Sequence, residues 1–362
     1  MSASSLTPLF RPQVLALSAY HVADPGNLIK LDAMENPYPW PEAERDAWLA
    51  GLTACALNRY PDPAAKSLAA AVRDYYRLPA ELDLMFGNGS DEIIQILLMA
   101  LRPDACVMAP EPSFVMYKQI AVSLGLDYCG VPLTENFELD MPVMRAAIAA
   151  KRPALIFLAY PNNPTGNLFD ADAIAEILAL TPGWVVIDEA YAPFTDAHFM
   201  AQTAKHERLL LMRTVSKLGL AGLRLGFLAG APVWLEQFNK LRLPYNINVL
   251  TQASVEYALK RGEFLAEQTR LIRTHRDALF KALQAMPEIR PYPSEANFIL
   301  FKTLDRAADA VFAALKQQGV LIKNLSGQGG LLQNCLRVTV GTEAENQVFL
   351  RALPLALADA KR

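Results

Sequence analysis

The stretch LLLMRTVSKLGLAGLRLGFLA, residues 209–229, reads as two short apolar strands, Leu209 to Arg213 and Leu225 to Ala229, joined by a glycine-rich loop that carries one lysine. Runs this short and this uniformly apolar suit strands covered on both faces. Similar runs stand upstream at Ala105 to Ala109, Ala154 to Tyr160 and Trp184 to Asp188, with amphipathic helical stretches between them. That alternation predicts an α/β fold with a mostly parallel central sheet, whose functional groups gather where its strands end.

Beyond Pro244 the texture changes. A long helical stretch, Glu256 to Met286, leads to strand-like runs at Asn297 to Phe301 and Cys335 to Val340 beside further helices, which predicts a smaller α+β unit. The Pro-rich N-terminal arm, through Asn36-Pro37 and Pro39, is expected to pack on that unit or on a neighbouring subunit. The expected division is a large domain over 46–245 and a small one made of 1–45 with 246–362. No internal repeat or low-complexity tract interrupts the chain.

With 362 residues, 52% hydrophobic and 20% charged, the chain can bury one large core and a smaller one. A net charge of −3 without a block of Lys or Arg offers no footprint for nucleic acid or an anionic membrane, which leaves small molecules as the expected partners. The opening MSASSLTPLF lacks a basic segment followed by an apolar one, and no apolar run approaches the roughly 18 residues of a membrane helix, so a cytoplasmic protein is expected. Cys55, Cys106, Cys129 and Cys335 are scattered without a CxxC pair, and His21, His198, His206 and His275 without HExxH, so neither a disulfide framework nor a zinc site is expected.

Four local signals carry chemistry. In Thr214-Val215-Ser216-Lys217, before a loop with Gly219 and Gly222, a lysine among small hydroxyls could be desolvated and made nucleophilic, and the hydroxyls with Arg224 suit a phosphate. In Trp184 to Tyr191 a buried strand runs into Asp188 and Glu189. A carboxylate there is a helix cap, a metal ligand or the partner of a buried cation. In Tyr160-Pro161-Asn162-Asn163-Pro164-Thr165-Gly166, two prolines and a glycine fix a turn that aims an Asn from a strand end. Gly87-Asn88-Gly89-Ser90-Asp91-Glu92 opens an apolar helix, Ile93 to Leu101, whose exposed N–H groups could bind an anion. Glu92 stands where a dinucleotide-binding fingerprint needs its third glycine, which argues against a nicotinamide-dependent dehydrogenase.

Taken together and in this order, the four signals resemble the fold-type I pyridoxal-phosphate (PLP) aminotransferases along nearly the whole chain. The resemblance implies a covalent link between Lys217 and the cofactor aldehyde, with Asp188 paired to the pyridine nitrogen. It implies that Asn163 and Tyr191 bond the ring oxygen, and that Gly89, Ser90, Asp91, Thr214, Ser216 and Arg224 surround the phosphate. Phe114, in Glu111-Pro112-Ser113-Phe114, falls where the family stacks an aromatic ring on the cofactor. Tyr60, in Asn58-Arg59-Tyr60-Pro61-Asp62, resembles the tyrosine that reaches a phosphate across a homodimer interface. Arg224 stands one residue closer to Lys217 than its counterpart in aspartate aminotransferases, which implies a shorter loop.

A narrower resemblance, to histidinol-phosphate aminotransferases, rests on Leu31-Asp32-Ala33-Met34-Glu35-Asn36-Pro37, on Arg59 to Asp62 and on Leu336 to Thr342. It implies transfer of an amino group between histidinol phosphate or imidazole acetol phosphate and 2-oxoglutarate or glutamate, within histidine biosynthesis. Arg337, in Cys335 to Gly341, matches the arginine that pairs bidentately with a substrate anion. Tyr20, Asn36 and Lys323 fall at further substrate positions, although Lys323 stands where that family usually has Arg and Met34 where it usually has Asn. Aromatic or broad-range aminotransferases and threonine-phosphate decarboxylases share the cofactor residues. A PLP-binding regulator would need a DNA-binding domain, for which the arm is too short and too poor in Lys and Arg.

Overall fold

A computed structural model of the protein describes residues 7–19 and 23–360. In chain order the strands are β1 (Ile29–Lys30), β2 (Asp83–Gly87), β3 (Cys106–Glu111), β4 (Asp127–Pro132), β5 (Leu155–Ala159), β6 (Trp184–Asp188), β7 (Leu209–Thr214) and β8 (Gly226–Gly230), followed by β9 (Ile289–Pro291), β10 (Phe298–Thr303), β11 (Val320–Leu321), β12 (Lys323–Asn324) and β13 (Cys335–Thr339). A seven-stranded sheet takes the order β2-β8-β7-β6-β5-β3-β4. Its middle, β7-β6-β5-β3-β4, is parallel throughout. Val185, Val186, Ile187 and the whole of β5 are buried, as the apolar runs require.

The fold class read from sequence is observed, with two refinements. Strand β8 runs antiparallel to β7, because the loop 215–225 is too short for the crossover that a parallel return needs. Strands β2 and β4 were not anticipated: β2 begins on an Asp and ends on a Gly, and β4 is an edge strand holding both Gly130 and Pro132, so neither reads as a buried apolar run.

The single helix expected over Glu256 to Met286 is in fact two, Val249–Lys260 and Glu263–Gln284. The break at Arg261-Gly262 has a packing cause. A Cβ at position 262 would lie 2.5 Å from the Tyr75 ring, so glycine lets this corner close onto helix Lys66–Tyr76. The anion-site helix spans Ser90–Met99 rather than Ile93 to Leu101.

A four-stranded antiparallel sheet, β12-β13-β10-β9, forms a second layer with its own apolar core around Phe298, Phe301 and Phe349. The N-terminal arm packs on a helix beside the large sheet and contributes β1 to a further, two-stranded sheet. Helix Pro12–Ala16 lies beside helix Val115–Leu124, where Arg11 donates to the Ser123 carbonyl at 2.9 Å, whereas β1 pairs in parallel with β11. Segment 31–36 then crosses between the sheets, held where Thr339 N donates to Leu31 O at 2.8 Å and Met34 N to Thr339 Oγ1 at 3.0 Å. Asn297 Nδ2 donates to Met34 O at 3.0 Å and so fixes the same segment from β10's approach. Among the described residues no helix is long and apolar enough to cross a membrane, and no cluster of His, Cys, Asp and Glu could hold a metal ion.

Candidate active site

The carboxyl ends of β2, β3, β5, β6 and β7 lie along one edge of the large sheet, and the chemical residues follow from those ends. Asp188 closes β6, Thr214 closes β7, and Lys217 sits in the short turn Ser216–Leu218 just beyond. Asn163, Asp188, Tyr191, Lys217, Ser90, Asp91, Phe114, Thr214, Ser216 and Arg224 all line one cavity of about 240 Å³. Ala33, Met34 and Glu35, from the crossing segment, form another part of its wall.

At one end of this set, helix Ser90–Met99 begins after Gly89 without a side-chain cap, so its first N–H groups remain for an anion. Gly89 has φ +84°, and a Cβ there would lie 2.7 Å from Arg224 Nη2, so only glycine lets the guanidinium come so close. Arg224 itself takes the left-handed conformation at φ +50°, which turns the shortened loop far enough to bring Nη2 to 3.7 Å from Asp91 Oδ2. Burial raises the Asp91 carboxyl, against the pull of Arg224 and Lys217. Thr214 Oγ1 contacts Ser216 Oγ at 2.9 Å and the Leu225 carbonyl at 3.0 Å, which fixes both hydroxyls beside the guanidinium loop.

Asp188 is 4% exposed. Its Oδ1 accepts the Ala190 N–H at 3.1 Å, and its Oδ2 accepts the Tyr117 hydroxyl at 2.6 Å. Burial pushes its carboxyl up to about 6, opposed by those two hydrogen bonds. Lys217 is driven the other way. Burial first, and the Arg337 charge next, lower its amine to about 8, which leaves a substantial unprotonated fraction near neutral pH. Its Nζ lies 5.7 Å from the centre of the Tyr191 ring and 3.5 Å from the Ala33 carbonyl.

The remaining expected residues are placed less uniformly. Arg337, 6% exposed on β13, donates to Asn163 Oδ1 at 2.5 Å and to Asp32 O at 3.2 Å. Lys323 pairs with Arg337 across β12 and β13, outside the cavity lining. Asn36 also stands outside it: its amide donates to Gln268 Oε1 at 3.0 Å and packs on Gly219. Tyr60 is 81% exposed, away from this chain's cavity, and stacks on Tyr245 at 4.4 Å. Tyr20 lies outside the described residues.

Sequence reasoning missed Tyr117 and the wall formed by residues 33–35. The available signal for Tyr117 was its position one helical turn after Phe114, near enough to the same strand end to share the site. No comparable local signal marks residues 33–35; in the structure Met34 takes φ +53°, the region that Asn tolerates better than Met.

An anion cradle, a buried carboxylate suited to a cationic ring nitrogen, and a desolvated amine share this one cavity. These match the phosphate, the pyridine ring and the aldehyde of PLP, so the residues present fit that cofactor.

Comparison with known proteins agrees with the geometry. The sequence model of the family described as aminotransferase class I and II matches residues 27–353. The chain is 54% identical over 354 residues to Histidinol-phosphate aminotransferase 2 of Nitrosococcus oceani, covering 98% of each chain. It is 48% identical over 346 residues to Histidinol-phosphate aminotransferase of Chromobacterium violaceum, covering 95% of this chain and 97% of that one. The fold is shared with the crystal structure of histidinol-phosphate aminotransferase from Sinorhizobium meliloti in complex with pyridoxal-5'-phosphate, at TM-score 0.85 and 22% identity over 96% of this chain and 97% of that chain.

Proposed function

We infer the reaction from one established fact: the chain belongs to the aminotransferase class I and II family, and its work is amino-group transfer with PLP. The reading that the site and the full-length relatives support is histidinol-phosphate:2-oxoglutarate transamination in histidine biosynthesis. The observation that carries it is the 54% identity to a histidinol-phosphate aminotransferase over 98% of the chain, and the cavity lined by Lys217 and Asp188 supports the PLP chemistry beneath it.

When bound, PLP supplies the electron sink that makes loss of a Cα proton possible. Asp188 would hold a proton at the ring nitrogen, whose positive charge would offset the cost of burying the carboxylate. Asn163 and Tyr191 would hold the ring through its oxygen, and Phe114 would pack against it. The hydroxyls of Ser90, Thr214 and Ser216, the guanidinium of Arg224 and the backbone N–H groups at Gly89 and Asp91 would hold the phosphate end. Lys217, whose desolvated amine would hold the aldehyde end of PLP, would take the proton from the substrate Cα and return it one atom away as general base and acid. Arg337 grips the substrate anion, the carboxylate of glutamate or the phosphate of histidinol phosphate, and Lys323, Asn36 and Tyr20 complete that end.

This reading places the enzyme in the cytoplasm as a homodimer, divided into a large domain over 46–245 and a small one of 1–45 with 246–362. Support for the dimer comes from Tyr60, exposed and remote from its own cavity, where service at a second chain's phosphate would require it. A half-reaction tests the function. Histidinol phosphate should convert the bound cofactor to pyridoxamine phosphate, read by its absorbance, and carbon dioxide release from phosphothreonine with no such conversion would overturn the assignment.

A further inference from the structure

Tyr117 belongs to no role assigned above, yet it touches the site's central carboxylate. It is fully buried on helix Val115–Leu124, one turn beyond the cavity-lining Phe114. Its ring lies flat on Phe157 of β5, with centroids 4.4 Å apart and planes 1° from parallel, and meets Phe114 edge-on at 5.5 Å. A ring wedged between two others cannot swing, so its hydroxyl is fixed in space. That hydroxyl donates to Asp188 Oδ2 at 2.6 Å, while Ala190 N–H takes Oδ1.

We propose that Tyr117 is a positioning residue for the transamination: its hydroxyl pins the Asp188 carboxylate in one orientation and keeps its charge available to the cofactor ring nitrogen. The inference rests on the reading that PLP occupies the cavity. Its physical basis is the cost of an under-bonded buried carboxylate. With the hydroxyl removed, Oδ2 loses a short donor and no water replaces it in a packed ring stack, so the carboxylate becomes more basic. The proton shared with the ring nitrogen then moves toward Asp188, and the ring loses the positive charge that draws electrons from the substrate. Tyr117 does not itself surrender the proton, since burial and the adjoining Asp188 charge hold its hydroxyl well above the usual tyrosine range. Asp91 and Glu189, the other carboxylates that act on Asp188, and Lys217 across the cavity, are untouched by a change at 117.

The test uses holoenzyme carrying PLP labelled with ¹⁵N in the ring, compared between the unaltered protein, Tyr117→Phe, and protein with 3-fluorotyrosine at position 117, whose hydroxyl is a stronger donor. In Tyr117→Phe the ring ¹⁵N resonance should move toward the neutral-ring position, and PLP should dissociate about tenfold faster, as loss of one hydrogen bond to a charged group predicts. With 3-fluorotyrosine the resonance should move the opposite way. A resonance unmoved in both variants overturns the proposal, whatever happens to stability. If Tyr117→Phe fails to fold, the isosteric fluorotyrosine protein decides alone by the same criterion. Borohydride reduction separates this from the cofactor reading: no pyridoxyl label on Lys217 of the unaltered protein would overturn that reading, whereas labelled protein with an unmoved resonance overturns only the role of Tyr117.

Discussion

Arg337 Nη1 donates to Asn163 Oδ1 at 2.5 Å, joining side chains 174 residues apart that come from the small sheet and from the turn after β5 of the large one. An anion that engages Arg337 must therefore share it with Asn163 and with the Asp32 carbonyl. Lysine cannot serve such a junction, because one ammonium does not reproduce a planar fork. Arg337→Lys should raise KM for glutamate and histidinol phosphate alike, by about tenfold or more. Lys323→Ala should weaken histidinol phosphate more than glutamate. Steady-state kinetics with both donors checks the pair, and equal losses in Lys323→Ala would argue against a phosphate role.

Lys217→Ala should abolish the visible absorbance of bound PLP, the borohydride-trapped label and activity, with the far-ultraviolet circular dichroism unchanged. The pH dependence follows from the lowered amine, about 8 in the folded chain. Capture of PLP by cofactor-stripped protein should accelerate as pH rises through about 8 and level above it, because the unprotonated amine is the nucleophile. A limb near the ordinary lysine value would contradict the desolvation described for this site.

Asp188 trades stability for function. Its carboxyl rises from 3.8 to about 6 on folding, so its contribution to stability is fully present below the ordinary value and is lost as pH climbs through about 6. A shift of about two units corresponds to about 3 kcal/mol at most. Cofactor-stripped Asp188→Asn should therefore melt higher than the unaltered protein at pH 7.5, with the gap closing below pH 4, while its hold on PLP falls. Calorimetry across pH reads this directly, and a gap independent of pH would contradict it.

Met34 is strained by its backbone alone, at φ +53°. Asn visits that region more readily, so Met34→Asn should stabilise the fold by about 1 kcal/mol in denaturant titration, provided the Met34 N to Thr339 Oγ1 bond is kept. Unchanged or lower stability would show that Met34's packing on the small core outweighs its backbone cost.

Legibility in the sequence tracked burial. Strands β5, β6 and β7 are apolar at nearly every position and could be read directly, and Asp188 and Lys217 stood out because polar groups follow at once from such runs. Strands β2 and β4, diluted by Asp, Gly and Pro, could not be read that way. The helix break at Gly262 depends on the Tyr75 ring, nearly two hundred residues earlier, and no local pattern announces it. Tyr117 was hidden for the same reason: a tyrosine on an apolar helix reads as core, and only tertiary packing shows whose oxygen it meets. The bonds of Asn36, its amide to Gln268 and its carbonyl to Tyr38 N, likewise come from tertiary packing that no local pattern announces.

Residues 33–35 wall in the reactive lysine, yet the groups that fasten this segment through Asp32 and Met34, namely Asn297, Arg337 and Thr339, stand 263 to 305 residues further along the chain. The nascent polypeptide must therefore keep residues 31–36 in reserve until β10 and β13 have been synthesised. Until then Lys217 faces solvent on that side, and an amine meant for one aldehyde is open to others. Closure of the pocket thus waits on contacts between segments 263 to 305 residues apart, which form late in folding.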